Sequence, residues 1–205
     1  MEYLDNVDSE GGPFLLADAA VARDWGGSGE DESNWEGSDY GRACQVLLGN
    51  PESPGVFVPV GTGQALFWEP QGAGTGDVFM DGQGNLIFIR AWLDEPEGAT
   101  SDDELRTITG LVEMPLGEPT FLGLLEVTSG VLAILWSPES GGCIESLDIG
   151  ASERPSGDTA TDSSGLLARV ANGHYESLHD ETELAEVSAR RCYLIRQSAP
   201  VSNPA

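Results

Sequence analysis

The chain has 205 residues, of which 40 % are hydrophobic and 27 are glycine, and its formal net charge is −26, from 35 Asp and Glu against nine arginines and no lysine. The missing amine excludes a phosphate-binding P-loop, a protein-kinase phosphate clamp and a Schiff-base enzyme, and the negative field repels nucleic acid and anionic lipid as direct ligands. The apolar fraction, with 5 Trp, 6 Phe and 4 Tyr, is enough for a packed core of one domain or two small ones.

Glycine punctuates short apolar runs, a pattern of turns between strands. In chain order, a short helix is expected from Ala19 to Trp25 with Asp18 as its cap, followed by an acidic loop from Gly26 to Asp39. Val56–Val60 and Gln64–Trp68 flank Gly61-Thr62-Gly63 as a hairpin, with Pro59 placing the first strand at a sheet edge. Asp77–Met80 and Leu86–Trp92 flank Asp81-Gly82-Gln83-Gly84-Asn85, a second hairpin. After an acidic loop from Asp94 to Asp103, the capping-box spacing Ser101-Asp102-Asp103-Glu104 predicts a helix over Asp102–Thr109. Thr120–Thr128 with Val131–Trp136, and Leu167–Val170 with His174–Leu178 across Asn172-Gly173, are read as two further hairpins. Gly150–Gly165 has linker composition, Leu184–Arg191 fits helix or strand, and Ser198–Ala205 reads as a frayed tail.

The expected fold is mainly β with a few short helices (α+β), built of hairpin-rich antiparallel sheets. Residues 1–110 form a β-rich N-terminal half, residues 111–197 a β-rich C-terminal half packed on the first, and residues 198–205 a flexible tail. Val7-Asp8-Ser9-Glu10-Gly11-Gly12-Pro13-Phe14-Leu15-Leu16 echoes Val127-Thr128-Ser129-Gly130-Val131-Leu132-Ala133-Ile134-Leu135 when a gap is allowed. That echo leaves open both a pair of related halves and a chance match between hairpins. Cys44, Cys143 and Cys192 are odd in number and form no C-x-x-C pair, so reduced, partly buried thiols are expected in place of a disulfide framework or a zinc site. Met1-Glu2-Tyr3-Leu4-Asp5 has no signal-peptide character, and the apolar stretch Phe121–Trp136 is interrupted by Gly123, Glu126, Thr128, Ser129 and Gly130. A cytoplasmic protein with no membrane partner is expected.

No constellation of catalytic type emerges. His174 and His179 are the two near-neutral acid–base groups, and they are read as ordinary surface histidines. Carboxylate pairs are expected by composition alone, Asp81–Asn85 lacks calcium-loop spacing, and Gly61–Gly63 and Gly72–Gly76 open no helix of a dinucleotide fold. No cofactor, metal or enzymatic activity is therefore expected, and the function is read as recognition. Its first candidate surface is the segment Gly29–Tyr40, where Glu30, Asp31, Glu32, Glu36 and Asp39 surround Trp35 and Tyr40. Aromatic side chains anchor protein interfaces, and carboxylates around them pair with a partner's arginine or lysine. The same segment also fits a solvated loop with Trp35 folded back onto the core. A second, purely charged candidate joins Asp94, Glu95 and Glu97 to Asp102, Asp103 and Glu104.

Glu10-Gly11-Gly12-Pro13-Phe14-Leu15-Leu16, Trp25, Asp39-Tyr40-Gly41-Arg42-Ala43-Cys44 and Val58-Pro59-Val60-Gly61-Thr62-Gly63-Gln64-Ala65-Leu66 stand in an order and spacing that resemble the immunity protein 21 family of bacterial polymorphic toxin systems. The resemblance runs from Val7 to Asp94 and is looser afterwards. Arg90-Ala91-Trp92 departs from the family's adjacent arginine and tryptophan, and Gly150–Gly165 is additional. The resemblance implies a small cytoplasmic antidote that binds a cognate toxin effector domain and blocks it, with no catalytic residues. Shared glycines, Pro13, Arg42 and Pro59 would then be scaffold. Charge implies a basic toxin, preferentially a nuclease. The alternative is an acidic nucleic-acid mimic that occupies a DNA-binding protein.

Overall fold

A computed structural model of the protein describes residues 1–29, 32–93, 101–147, 164–184 and 187–197. Its eleven strands are β1 (Glu2–Val7), β2 (Phe14–Asp18), β3 (Gly55–Val60), β4 (Gly63–Trp68), β5 (Gly76–Met80), β6 (Leu86–Leu93), β7 (Thr120–Val127), β8 (Val131–Trp136), β9 (Gly165–Arg169), β10 (Gly173–Leu184) and β11 (Val187–Arg196). Three α-helices accompany them: α1 (Ala19–Ala22), α2 (Asp39–Leu48) and α3 (Ser101–Glu113). Short 3₁₀ turns occupy Glu32–Gly37 and Gly141–Ser146. The fold is mainly β, as the sequence predicts.

Two antiparallel sheets face each other, a six-stranded one in the order β1-β5-β6-β11-β10-β7 and a five-stranded one in the order β3-β4-β2-β8-β9. Alternating side chains from both sheets fill the space between them, among them Phe14, Leu16, Trp68, Phe88, Ile134 and Tyr175. The outer face of the five-stranded sheet is also apolar, through Leu15, Ala17, Phe67 and Leu135, and is covered by α1, α2 and the second 3₁₀ turn. The outer face of the six-stranded sheet meets Ile108, Leu111 and Val112 of α3. Helices thus sandwich a sandwich, and the central strands read as near-continuous apolar runs because both of their faces are buried.

The two halves are arranged alike. Each sends a first strand to the six-stranded sheet (β1 or β7) and a second to the five-stranded sheet (β2 or β8). Each then makes a helical excursion and returns through β4 or β9 to a final pair in the six-stranded sheet, β5-β6 or β10-β11. The strand order is consequently palindromic about β6-β11 in one sheet and about β2-β8 in the other, with β3 the one addition. The sequence echo falls on the equivalent β1-β2 and β7-β8 segments. Both halves supply strands to both sheets, and residue 110 falls inside α3.

The 55–68 and 76–93 hairpins form as expected, and β3, with Pro59, is an edge strand. Two other expected hairpins do not. β7 and β8 lie in different sheets, as do β9 and β10, so the Ser129-Gly130 and Asn172-Gly173 turns are arches that carry the chain between layers. Gly130 and Gly173 supply the positive φ that reverses the chain (75° and 146°), but turn chemistry is indifferent to which sheet receives the next strand. β10 pairs instead with β7 and with β11; of the segment Leu184–Arg191, left open by the sequence, Leu184 ends β10 and Val187–Arg191 begin β11, while 185 and 186 lie outside the described residues. The region 26–39 is more than a loop, since it contains the first 3₁₀ turn and starts α2, capped by Ser38. The helix begun at Asp18 is shorter than expected and α3 is longer. The expected linker lies mostly, and the expected tail wholly, outside the described residues.

Buried polar groups clasp the two halves. Asp18, 1 % exposed, accepts from the Ala20 amide at 2.7 Å and the Ser129 amide at 2.8 Å, and also from the Thr128 amide and hydroxyl. Reciprocally, the Ser137 hydroxyl donates to Pro13 O at 2.6 Å and the Trp136 indole donates to Gly11 O at 2.7 Å. Each half's arch is thereby tied to the end of the other half's buried strand. All three cysteines are free, with Cys192 in the core. Among the described residues no helix is long and apolar enough to cross a membrane.

Candidate functional site

The sequence-selected carboxylates fall on two different layers. Glu30 and Asp31 lie outside the described residues, and Glu32 opens the first 3₁₀ turn. Trp35 is 42 % exposed with its ring 6.2 Å from that of Tyr40, and Tyr40 in turn packs on Phe67. Glu36 is exposed beside it. Asp39 accepts from the Gly26 amide at 2.7 Å and pairs with Arg42, so it holds the start of α2. Asp94, Glu95 and Glu97 lie outside the described residues. Asp102, Asp103 and Glu104 form the first turn of α3, where carboxylates favour the positive helix end, and Asp103 is 2.9 Å from Arg106. Because α2 covers one sheet and α3 the other, these two groups do not combine into one site.

A cleft of about 810 Å³ opens between the end of α2, the segment 49–54, the segment 117–120 and β10-β11. Its size is that of ligand pockets in general. Leu47, Leu48, Pro51 and Pro54 form an apolar wall, and Leu48 is 77 % exposed. Opposite stand Glu69, Glu181, Arg190 and His179, with Glu52 and Glu118 further along the lining. The sheet register explains the grouping. Glu181 of β10 is directly opposite Arg190 of β11, and both project from the inner face at the end of the sandwich where the five-stranded sheet has stopped. Arg190 Nε lies 3.0 Å from Glu181 Oε1, and the same oxygen lies 3.3 Å from His179 Nε2.

His179 is 4 % exposed, which corrects its reading as a surface histidine; His174 is exposed. The indole N–H of Trp68 donates to His179 Nδ1 at 3.0 Å, so the neutral ring carries its proton on Nε2 and donates it toward Glu181. Burial lowers its pKa below the ordinary 6.5, against the opposing pull of Glu181, and keeps the ring neutral. Both ring nitrogens are thus engaged and the histidine orients Glu181. Burial raises the pKa of Glu69, with the Gln71 amide and Arg190 offsetting part of the effect. Gln71, on the cleft wall, is the non-glycine residue with positive φ (69°) among the described residues. Such a conformation costs about 1 kcal/mol or more and persists where its surroundings hold it.

The sequence reading passed over Glu69, Gln71, Glu181 and Arg190. Their one visible signal is the alternation Tyr175, Ser177, His179, Glu181 on a single strand face, which places His179 and Glu181 in line with core residues.

Two of the described arginines, Arg90 and Arg191, are buried, and three more are paired with carboxylates. Arg191, fully buried, donates through Nη1 to Leu111 O at 2.7 Å and to Met114 O at 3.0 Å, at the C-terminal end of α3. Its Nη2 pairs with the buried Asp180 and reaches Thr182 Oγ1 at 3.1 Å. Arg90 is 4 % exposed, lies 5.6 Å from the Trp92 ring, and has Asp8 and Asp77 as its electrostatic neighbours. Arg42 and Arg106 are paired along their own helices. Among the described residues no group of three or more His, Cys, Asp or Glu is placed to hold a metal.

Comparison with protein-family models, with curated proteins and with solved structures finds no match.

Proposed function

We propose that the protein is an immunity protein that binds a cognate secreted bacterial toxin, a basic nuclease domain, and occludes its active site. The observation that carries this reading is the distribution of charge. A net charge of −26 is a self-repulsion that works against folding, and among the described residues the fold buries Asp18, Asp77 and Asp180 together with Arg90 and Arg191, so nearly all of that excess stays at the surface. Carboxylates therefore dominate the outward field. Nuclease clefts are basic because they hold phosphates, so such a surface is steered onto them and competes with their substrate. The resemblance of residues 7–94 to immunity proteins supports the same assignment.

The test is co-expression of the chain with the toxin domain encoded beside it, with growth and nucleic-acid integrity as readouts. Protection, together with a stable complex, is the expected result. A chain that protects against no neighbouring toxin and instead captures a chromosomal or phage DNA-binding protein would overturn the assignment in favour of nucleic-acid mimicry.

A further inference from the structure

We propose that the cleft between α2 and β10-β11 receives an arginine side chain presented by the basic partner, with its guanidinium on Glu69 and Glu181 and its aliphatic stem against Leu47, Leu48 and Pro54. This rests on the reading of the protein as a binder of a basic domain, and it places the binding energy away from the acidic segments singled out by sequence.

Three features of the cleft support it independently. The first is an imbalance of charge: besides Asp180, which is paired with Arg191, Glu52, Glu69, Glu118 and Glu181 line a concave volume in which Arg190 is the one guanidinium among the described residues. Arg190 is already committed to Glu181 at 3.0 Å and offsets only part of the burial of Glu69, and His179 is held neutral by its hydrogen bonds and burial, so Glu69 has no ion-pair partner of its own among the cleft's described residues. The second is the state of Glu69. Burial works against its ionised form, and an incoming cation would reverse that penalty, since an opposite charge within a few ångströms favours the carboxylate. The third is the apolar wall, made by the last turn of α2 and two prolines. Leu48 is 77 % exposed. Apolar surface beside carboxylates matches the two-part chemistry of arginine, a hydrocarbon stem ending in a charged fork. Around the inserted side chain, the exposed leucine and the prolines supply the water-excluding rim that interface hot spots require. An anionic ligand would meet the carboxylates that outnumber Arg190 and is disfavoured by the same geometry.

The free protein, without any toxin, can be tested with N-acetyl-arginine methylamide as probe and N-acetyl-norleucine methylamide as its uncharged control. The readouts are the NMR resonances of the Trp68 indole N–H, which rests on His179, and of the Gln71 amide, which donates to Glu69. Saturable shifts at millimolar arginine probe, absent with the norleucine probe and weakened at least tenfold in the double variant Glu69→Gln/Glu181→Gln, are expected. Both changes are isosteric, and Glu181 is 57 % exposed, so the variant should keep its fold, as its remaining amide spectrum will report. Equal shifts with both probes, shifts scattered over the acidic surface, or undiminished binding by the variant would overturn the proposal. The outcome is separable from that of the proposed function. A chain that protects against its toxin but ignores the arginine probe loses the cleft and keeps the function; a chain that binds the probe but protects against nothing loses the function and keeps the cleft.

Discussion

A guanidinium with no solvent contact needs partners for its charge, and Arg191 finds them through both terminal nitrogens, which close the carbonyl end of α3 and neutralise Asp180, while its Nε stays without a hydrogen bond. Replacing it by leucine leaves Asp180 as an uncompensated buried charge and α3 without its anchor. The expected loss is about 3–5 kcal/mol in denaturant unfolding, and the double variant Arg191→Leu/Asp180→Leu should recover part of it. Asp18 is the second such residue. Burial raises its pKa, but amide donors from Thr128, Ser129 and Ala20 outweigh this and leave it below the ordinary 3.8. Its contribution is therefore complete above that value and is lost as the pH falls through the lower folded value. Asp18→Ala should cost about 2–3 kcal/mol at neutral pH, and the variant should show a shallower loss of stability on acidification than the parent. His179 acts in the same direction at a higher pH. Its folded pKa lies below 6.5, so the unfolded chain binds the proton first and stability declines as the pH drops below that point. A His179→Gln variant, which cannot titrate, should lose that part of the slope between about pH 7 and pH 5.

The helices and arches owe their positions to close backbone approaches as much as to pattern. Gly141 opens the second 3₁₀ turn against α1, where an added Cβ would sit 1.9 Å from the Ala22 carbonyl oxygen. Backbone cannot yield as a side chain can, so Gly141→Ala should destabilise by about 1–3 kcal/mol and loosen Trp25, whose indole donates to Ser137 O nearby. Its thermal unfolding and tryptophan fluorescence would report both. Such approaches explain what could be foreseen from residues alone. The 55–68 and 76–93 hairpins were legible because alternation and a glycine turn coincide with local pairing. The arches at Ser129-Gly130 and Asn172-Gly173 carry the same signal, but their partners are distant in sequence. The long β10-β11 hairpin was missed for the opposite reason: the sequence joining its strands, from Glu183 to Val187, contains no glycine, proline or asparagine. α2 was hidden by Gly41 in its first turn, present because a Cβ there would meet the Trp35 carbonyl at 2.2 Å.

Taken as one body, the molecule combines a core shared between its two halves with an outward surface of strongly negative net charge. Composition made the charge legible, but not where it concentrates: Glu181 and Arg190 face each other only through the β10-β11 register, and Glu69, far from both in sequence, joins them only through the loop after β4. The cost of that surface should itself be measurable. Raising the ionic strength from about 0.02 M to about 0.5 M shortens the Debye length several-fold and screens the self-repulsion, so the melting temperature should rise by several degrees. The same screening should weaken recognition. Stopped-flow association of the chain with its cognate toxin domain, followed across that salt range, weighs both sides of the account at once. The account predicts association near the diffusion limit at low salt, falling at least tenfold as salt rises, with a much smaller change in dissociation. Association that is slow at low salt and indifferent to ionic strength would contradict it, because the charge on which the proposed function stands would then play no part in binding.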